Sequence, residues 1–265
     1  MPFAIRRSTT VAERSDVSEH LTPLDNAASG EPNQDREQSF ERRLERRVSG
    51  PYNLIFKPIV GPVIAVPLLV TLSPVLTVIA LAIIVDTGLP VFYRGERGGF
   101  RGKPFRIYKF RTMVRNADQI GGGTTALADP RITRVGRLLR KTKLDEFPQL
   151  LNIIRSEMCF VGPRPELLQY TRQYAGLETY ISKVRPGITD FSSIEYINLD
   201  EVVGAGDADA AYERDVLQRK NQLRIHYVEQ MSPLTDLRLF VITVVRAVKG
   251  VLRHIFKGGG SHGDN

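Results

Sequence analysis

Between Lys57 and Asp86 the chain carries no charged residue. The stretch from Pro58 to Val85 is about 28 residues long, and about 20 apolar residues suffice for a helix to cross the hydrocarbon of a bilayer. Two features argue against a plain spanning helix. Ser73-Pro74 sits near its middle, with Pro62 and Pro67 before it. A proline inside a helix removes a backbone donor and crowds the carbonyl one turn earlier, so it kinks or breaks the helix. Both flanks are also basic: Arg42, Arg43, Arg46, Arg47 and Lys57 precede the stretch, and Arg94, Arg97, Arg101, Lys103 and Arg106 follow it. Cationic flanks tend to stay in the cytoplasm. A re-entrant helix-break-helix, which enters and leaves one leaflet, satisfies both facts. A kinked ordinary span is the alternative.

Around this segment the pattern suggests a helix-rich α+β chain. Residues 1–50 are polar and turn-rich, and read as a disordered or weakly structured extension with a charged helical candidate over 40–47. No early apolar core marks a secretory signal. The membrane hairpin takes residues 51–88 and a globular domain takes 89–235. Within it, Leu89–Tyr93 and Phe105–Arg111 suit a small β-hairpin or sheet, the second alternating apolar and basic residues. Gly121–Thr125 reads as a flexible loop. Helices are expected near 133–140, from about Pro148, over about 166–182, and over 208–230. Gly162-Pro-Arg-Pro165 cannot continue a helix and forms a rigid bend. Over 236–257, cations recur among apolar residues at helical spacing, as in an amphipathic interfacial helix, with a core helix as the plainer reading. Residues 258–265 form a tail.

The formal net charge is +8, which suits anionic partners: nucleic acid, lipid headgroups or phosphorylated substrates. The long apolar segment argues against a nucleic-acid binder. One cysteine, Cys159, excludes an internal disulfide framework and reads as a small buried hydrophobe. Four scattered histidines form no zinc motif.

Asp145-Glu146 is the leading chemical candidate. Arg137, Arg140, Lys141 and Lys143 surround it in sequence. Adjacent carboxylates beside cations suit phosphate chemistry, with one attacking and one holding a metal. Alone, such a dipeptide is more often a solvated salt-bridging pair. Arg164, pinned between two prolines, could present its guanidinium to a phosphate or pair structurally with a carboxylate. Lys109, Arg111 and Thr112 could contact phosphate or form the wet face of a strand. A membrane-bound scaffold without activity competes with an enzyme on these grounds.

The ordered set of motifs resembles the bacterial sugar transferases, or small monotopic phosphoglycosyl transferases. The matching stretches are Ser73-Pro74, Lys109-Phe-Arg-Thr-Met113, Gly136–Leu150, Val161-Gly-Pro-Arg-Pro165 and Val184-Arg-Pro-Gly-Ile-Thr189. The likeness runs from about Asn53 to Tyr196, and more loosely to the C-terminus. It implies a polyprenyl-phosphate hexose-1-phosphate transferase that works with Mg2+. A UDP-sugar would give its sugar 1-phosphate to polyprenyl (undecaprenyl) phosphate and release UMP. This is the first membrane step of exopolysaccharide, lipopolysaccharide or other glycoconjugate assembly. By match, Asp145 is the nucleophile of a covalent phosphosugar-aspartyl intermediate and Glu146 the metal ligand. Arg140 and Arg164, with Lys109, Arg111 and Thr112, would bind substrate phosphate. Ser73 and Pro74 make the re-entrant break of a monotopic protein of the inner membrane, its catalytic domain facing the cytoplasm. Oligomeric state stays open, a homodimer included. One departure from the family pattern is Asp190–Tyr196, where Gly and a small apolar run are usual. It leaves the sugar open.

Overall fold

A computed structural model describes residues 33–125, 129–197, 199 and 207–258. Of the weakly structured extension expected over 1–50, the part before residue 33 lies outside these residues, as does the tail after 258, while 33–49 is a helix that contains the helical candidate over 40–47. The order of elements is α1 (Asn33–Ser49), a short π-helical turn (Tyr52–Phe56), α2 (Lys57–Thr87), β1 (Phe92–Tyr93), β2 (Glu96–Gly98), β3 (Pro104–Arg106) and β4 (Lys109–Phe110). Then come α3 (Ala117–Ile120), α4 (Arg134–Thr142), a 3-10 helix (Leu144–Gln149), α5 (Leu150–Ile154) and β5 (Cys159–Val161). The remainder is α6 (Leu168–Thr171), α7 (Thr179–Ser182), β6 (Gly187–Thr189), α8 (Phe191–Glu195), α9 (Ala208–Asp215), α10 (Leu217–Gln230) and α11 (Pro233–Gly258). Packing divides the chain between Glu41 and Arg42, and everything below concerns the second unit.

Helix α2 is the one described helix long and apolar enough to cross a membrane. It is unbroken by secondary structure through Pro62, Pro67 and Pro74, where a break was expected at Ser73-Pro74. The local chemistry explains the continuity. Pro74 cannot donate to the Val70 carbonyl four residues back, but the Ser73 hydroxyl donates to that carbonyl instead, at 2.8 Å. Thr77 Oγ1 donates to the Ser73 carbonyl at 2.8 Å. Both ends of α2 are fastened to the same globular unit. At its start, Lys57 Nζ donates to the Val161 carbonyl at 2.8 Å and to Tyr227 Oη at 2.6 Å, and it pairs with Asp236 at 2.8 Å. Ala65 packs with Leu150 and Ile153. Toward its end, Ile79 and Ile83 pack with Phe110 and Leu139. Between these contacts α2 leaves large apolar side chains exposed, among them Val63, Val70 and Val78.

The expected hairpin is two nested antiparallel pairs: β2 with β3 inside, β1 with β4 outside. The predicted strand over 105–111 is thus split at Ile107-Tyr108. Asn152, fully buried, spans the split by accepting from the Tyr108 N–H at 2.9 Å and donating to the Arg106 carbonyl at 2.8 Å. A third pair, β5 with β6, is parallel. Helix α4 starts where the sequence places it, with Thr133 Oγ1 accepting from the Gly136 N–H at 2.9 Å. The helix expected over 166–182 is three short pieces: α6, a 3-10 turn (Gly176–Glu178) and α7. The one expected over 208–230 is divided between α9 and α10. Cys159 is buried, as its apolar neighbours suggest. Helix α11 exposes Leu234, Leu237, Val241 and Val248.

Candidate active site

Asp145 and Glu146 lie on the 3-10 helix, which begins abruptly. Lys143 takes a left-handed conformation, φ 58°, ending α4 and turning the chain into that helix. Helix α4 approaches the strand region closely, because a Cβ on Gly136 would sit 2.1 Å from the Thr112 carbonyl oxygen. Glycine is required there for contact rather than for flexibility. The approach lets Arg140 Nε donate to Thr112 Oγ1 at 2.8 Å.

Glu146 is clamped by two cations from distant segments. Lys109 Nζ lies 2.8 Å from Oε1. Arg164 engages both oxygens, its Nη1 at 3.1 Å from Oε2 and its Nη2 on Oε1. Burial opposes the charge of Glu146, but Arg164 and Lys109 outweigh it and hold the carboxyl well below the usual carboxylate range. Burial pulls the Lys109 ammonium down despite Glu146.

Asp145 is different. It is 7 % exposed, and its Oδ1 is buried without a hydrogen-bond partner. Burial raises its pKa, and the neighbouring Glu146 charge adds to this; Lys109, Arg140 and Lys143 pull the other way without cancelling it. The two adjacent carboxyls are thus driven apart: Glu146 is firmly ionised, and Asp145 is poorly solvated and in need of a positive partner. Such splitting is common where carboxylates do chemistry.

Arg164 is held from three sides. Its Nη1 also donates to the Ile188 carbonyl at 2.9 Å, and its backbone N–H to Asp190 Oδ2 at 3.1 Å. The bend carrying it is fixed by the β5–β6 pair, where Gly162 N–H donates to Thr189 at 2.9 Å and Gly187 N–H to Pro163 at 3.1 Å. A Cβ on Gly187 would lie 2.1 Å from the Gly162 nitrogen, so only glycine permits this seam.

The sequence reading grouped Lys109, Arg111 and Thr112, and the structure distributes them. Lys109 faces Glu146 and Thr112 supports Arg140. Arg111 turns away: its Nη2 donates to the Thr87 carbonyl at 3.1 Å, Thr87 Oγ1 at 2.7 Å and the Gly88 carbonyl at 2.6 Å. It caps the end of α2, where cations are favoured. Arg137 and Lys141 are exposed. Ser73 and Pro74 lie within α2, apart from this cluster.

Three further residues hold the site together, and the sequence assigned none of them a role. Asp190, fully buried, also caps α8 by accepting from the Ser193 N–H at 2.7 Å. The departure from the family pattern is thus the residue that grips Arg164. Glu166 accepts from Arg224 at 2.7 Å and from Tyr212, with Lys220 at 3.8 Å. Burial opposes its ionisation, yet Lys220 and Arg224 hold it down at about 2. Asn152 was the third.

No group of three His, Cys, Asp or Glu among the described residues could hold a metal. Magnesium does not require one, since it is commonly held by one or two carboxylates plus substrate phosphates and water. Both Glu146 oxygens already face Arg164 and Lys109, so an ion at Glu146 would share an oxygen with these cations or displace one of them; the unpartnered oxygen of the pair belongs to Asp145.

The bacterial sugar transferase model matches residues 52–250. An undecaprenyl-phosphate glucose phosphotransferase of Komagataeibacter xylinus is 33% identical over 77% of the chain, which spans 38% of that relative. The chain thus covers about two fifths of its length. An uncharacterized sugar transferase of Bacillus subtilis is 34% identical over 72% of the chain and 86% of its own length. A UDP-N-acetylgalactosamine-undecaprenyl-phosphate N-acetylgalactosaminephosphotransferase of Aeromonas hydrophila is 33% identical over 72% of the chain and 42% of its own length. With its motifs in order and three quarters of its length matched, the chain belongs to the bacterial sugar transferase family.

Proposed function

We propose that the protein transfers a sugar 1-phosphate from a UDP-sugar to undecaprenyl phosphate, with Asp145 as nucleophile. The observation that carries this reading is the contrast within one dipeptide: an ion-paired Glu146 beside a buried Asp145 with an unpartnered oxygen. The donor's diphosphate would enter between Arg164, Lys109 and Arg140. Phosphoryl transfer asks the protein mainly for positioning and charge neutralisation, which these cations provide. An Asp145 oxygen attacks the sugar-bearing phosphorus. The bond from that phosphorus to the bridging oxygen breaks, and its electron pair leaves with UMP. A polyprenyl phosphate oxygen then attacks the same phosphorus from the membrane side, and the Asp145 carboxylate is restored. Glu146 would hold Mg2+ only by giving up part of its contact with Lys109 or Arg164, and the ion would add neutralising charge at the phosphates. The burial of Asp145 keeps water from competing with the lipid acceptor.

The membrane arrangement follows from α2. Both its ends are tied to one globular unit while its middle is apolar and exposed, which supports a re-entrant, monotopic seating. Its basic flanks favour a catalytic domain on the cytoplasmic face of the inner membrane. Single cysteines introduced at Ser49 and Lys103, both exposed, should both react from the cytoplasmic side; reaction of either from the periplasm sinks the re-entrant seating. Two of the relatives named above are a glucose and an N-acetylgalactosamine phosphotransferase, so the sugar is read only as a hexose.

The test is a panel of UDP-sugars with undecaprenyl phosphate, read by UMP release. The wild-type protein should release UMP with at least one donor and Asp145→Asn with none. Turnover by Asp145→Asn would overturn the assignment.

A further inference from the structure

We infer that one face of α4, carrying Arg134, Arg137 and Lys141 around Leu138, is a docking surface for anionic phospholipid headgroups. Residues 130–144 contain six cations and no acidic residue. Arg140, Lys143 and Arg131 are accounted for by contacts with Thr112, the Ile197 carbonyl and Asp129. Arg134, Arg137 and Lys141 are exposed and make no hydrogen bond or ion pair among the described residues. Some exposed cations elsewhere on the unit pair with carboxylates, as Lys183 with Glu45, Arg214 with Asp215 and Arg106 with Glu96, and others such as Arg101 and Lys103 do not; what distinguishes α4 is three such cations on one helix face. At about 100° per residue, positions 134, 137, 138 and 141 share one face roughly 100° wide. Arg134 stands in the first turn, where the helix dipole disfavours a cation. Local helix stability does not explain that placement; an external anion does.

The position of α4 identifies the anion. Its buried face, Val135 and Leu139, packs on Leu76, Ile79, Ala80 and Ile83 of α2. Asp86, at the end of α2, accepts from the Val135 N–H at 3.3 Å. Helix α4 is thus seated directly on the apolar helix, its cationic face turned away from that contact and toward solvent, and Leu138 within that face is itself 53 % exposed. An apolar residue among long cationic side chains suits the boundary between headgroups and acyl chains, where Lys and Arg reach out to phosphates. Each cation beside an anionic surface favours binding by about fivefold, less at physiological salt. The same helix ends at Arg140 and leads into Asp145, so bound headgroups would fix the depth of the reactive carboxylate.

The inference rests on the membrane seating of α2. The full chain is placed in nanodiscs of phosphatidylcholine containing trace spin-labelled phosphatidylglycerol or phosphatidylcholine, and the motionally restricted fraction of each is measured. Wild type should retain phosphatidylglycerol at least about fivefold over phosphatidylcholine, an advantage suppressed by high salt. Arg134→Gln/Arg137→Gln/Lys141→Gln should lose that selectivity while keeping its circular dichroism. Arg134→Lys/Arg137→Lys should keep it, which separates charge from fold. Equal retention of both lipids by wild type, or full selectivity in the triple variant, overturns the inference. A higher donor KM for the triple variant in pure phosphatidylcholine does so too, because the cations would then serve the soluble substrate. Failure to enter the nanodisc defeats the seating itself, whereas entry without selectivity defeats only the lipid surface.

Discussion

Removing the Arg164 guanidinium should destabilise the protein far more when Glu146 is charged than when it is not. Arg164→Ala leaves Glu146, only 14 % exposed at its side chain, with Lys109 alone, and strips the Ile188 carbonyl of a donor. Breaking a buried ion pair from one side costs about 3–5 kcal/mol. Arg164 is 28 % exposed and Lys109 remains 2.8 Å away, so the cost falls to about 3 kcal/mol. In a unit of this size that lowers Tm by roughly 6–12 °C. In a Glu146→Gln background no charge is stranded, and Arg164→Ala should cost only about 1 kcal/mol. The cycle of four proteins, unfolded thermally in detergent and followed by circular dichroism, should thus show about 2 kcal/mol of coupling. Coupling within about 0.5 kcal/mol of zero would refute the claim that Arg164 and Glu146 form one electrostatic unit.

Because Asp145 must be ionised to attack and burial raises its pKa, activity should fall with decreasing pH at a higher pH than for an ordinary carboxylate. For the same reason Asp145→Asn should abolish turnover yet raise Tm, since it removes a charge that the fold disfavours; a drop in Tm would contradict this. Glu166 lies the other way. Its carboxyl is held at about 2 against 4.5 when unperturbed, so it contributes about 3 kcal/mol above pH 4.5, lost as pH falls toward 2. Unfolding of wild type and Glu166→Gln between pH 5 and 2.5 should therefore converge; parallel curves would count against it. Arg111→Lys should lower Tm with an unchanged donor KM, because this guanidinium caps α2; a raised KM with unchanged Tm would return Arg111 to phosphate binding.

The sequence made the apolar helix legible through its length and lack of charge. It did not make the continuity at Ser73-Pro74 legible, since that depends on which carbonyl a serine hydroxyl reaches. Asp145-Glu146 was visible as a pair only within a series of motifs. What separates the two carboxyls comes from residues 37 positions upstream and 18 downstream, contacts that no local pattern encodes. Lys109 and Arg111 look alike in an alternating strand, but β4 ends at Phe110, and the two side chains go to different partners. Asp190 read as a departure from a familiar turn, while its burial and its hold on Arg164 needed the packing of β6 against β5. Glu166, directly after the Pro-Arg-Pro bend, gave no sign of its partners on α9 and α10.

Intact-protein mass spectrometry after incubation with a UDP-sugar, with no lipid acceptor present, decides the role of Asp145. The mass should rise by one sugar phosphate, carried on the peptide containing Asp145, with matching release of UMP. Adding undecaprenyl phosphate should discharge it, and Asp145→Asn should gain nothing. Turnover with both substrates present, but no adduct and no UMP from the donor alone, would contradict a covalent aspartyl route.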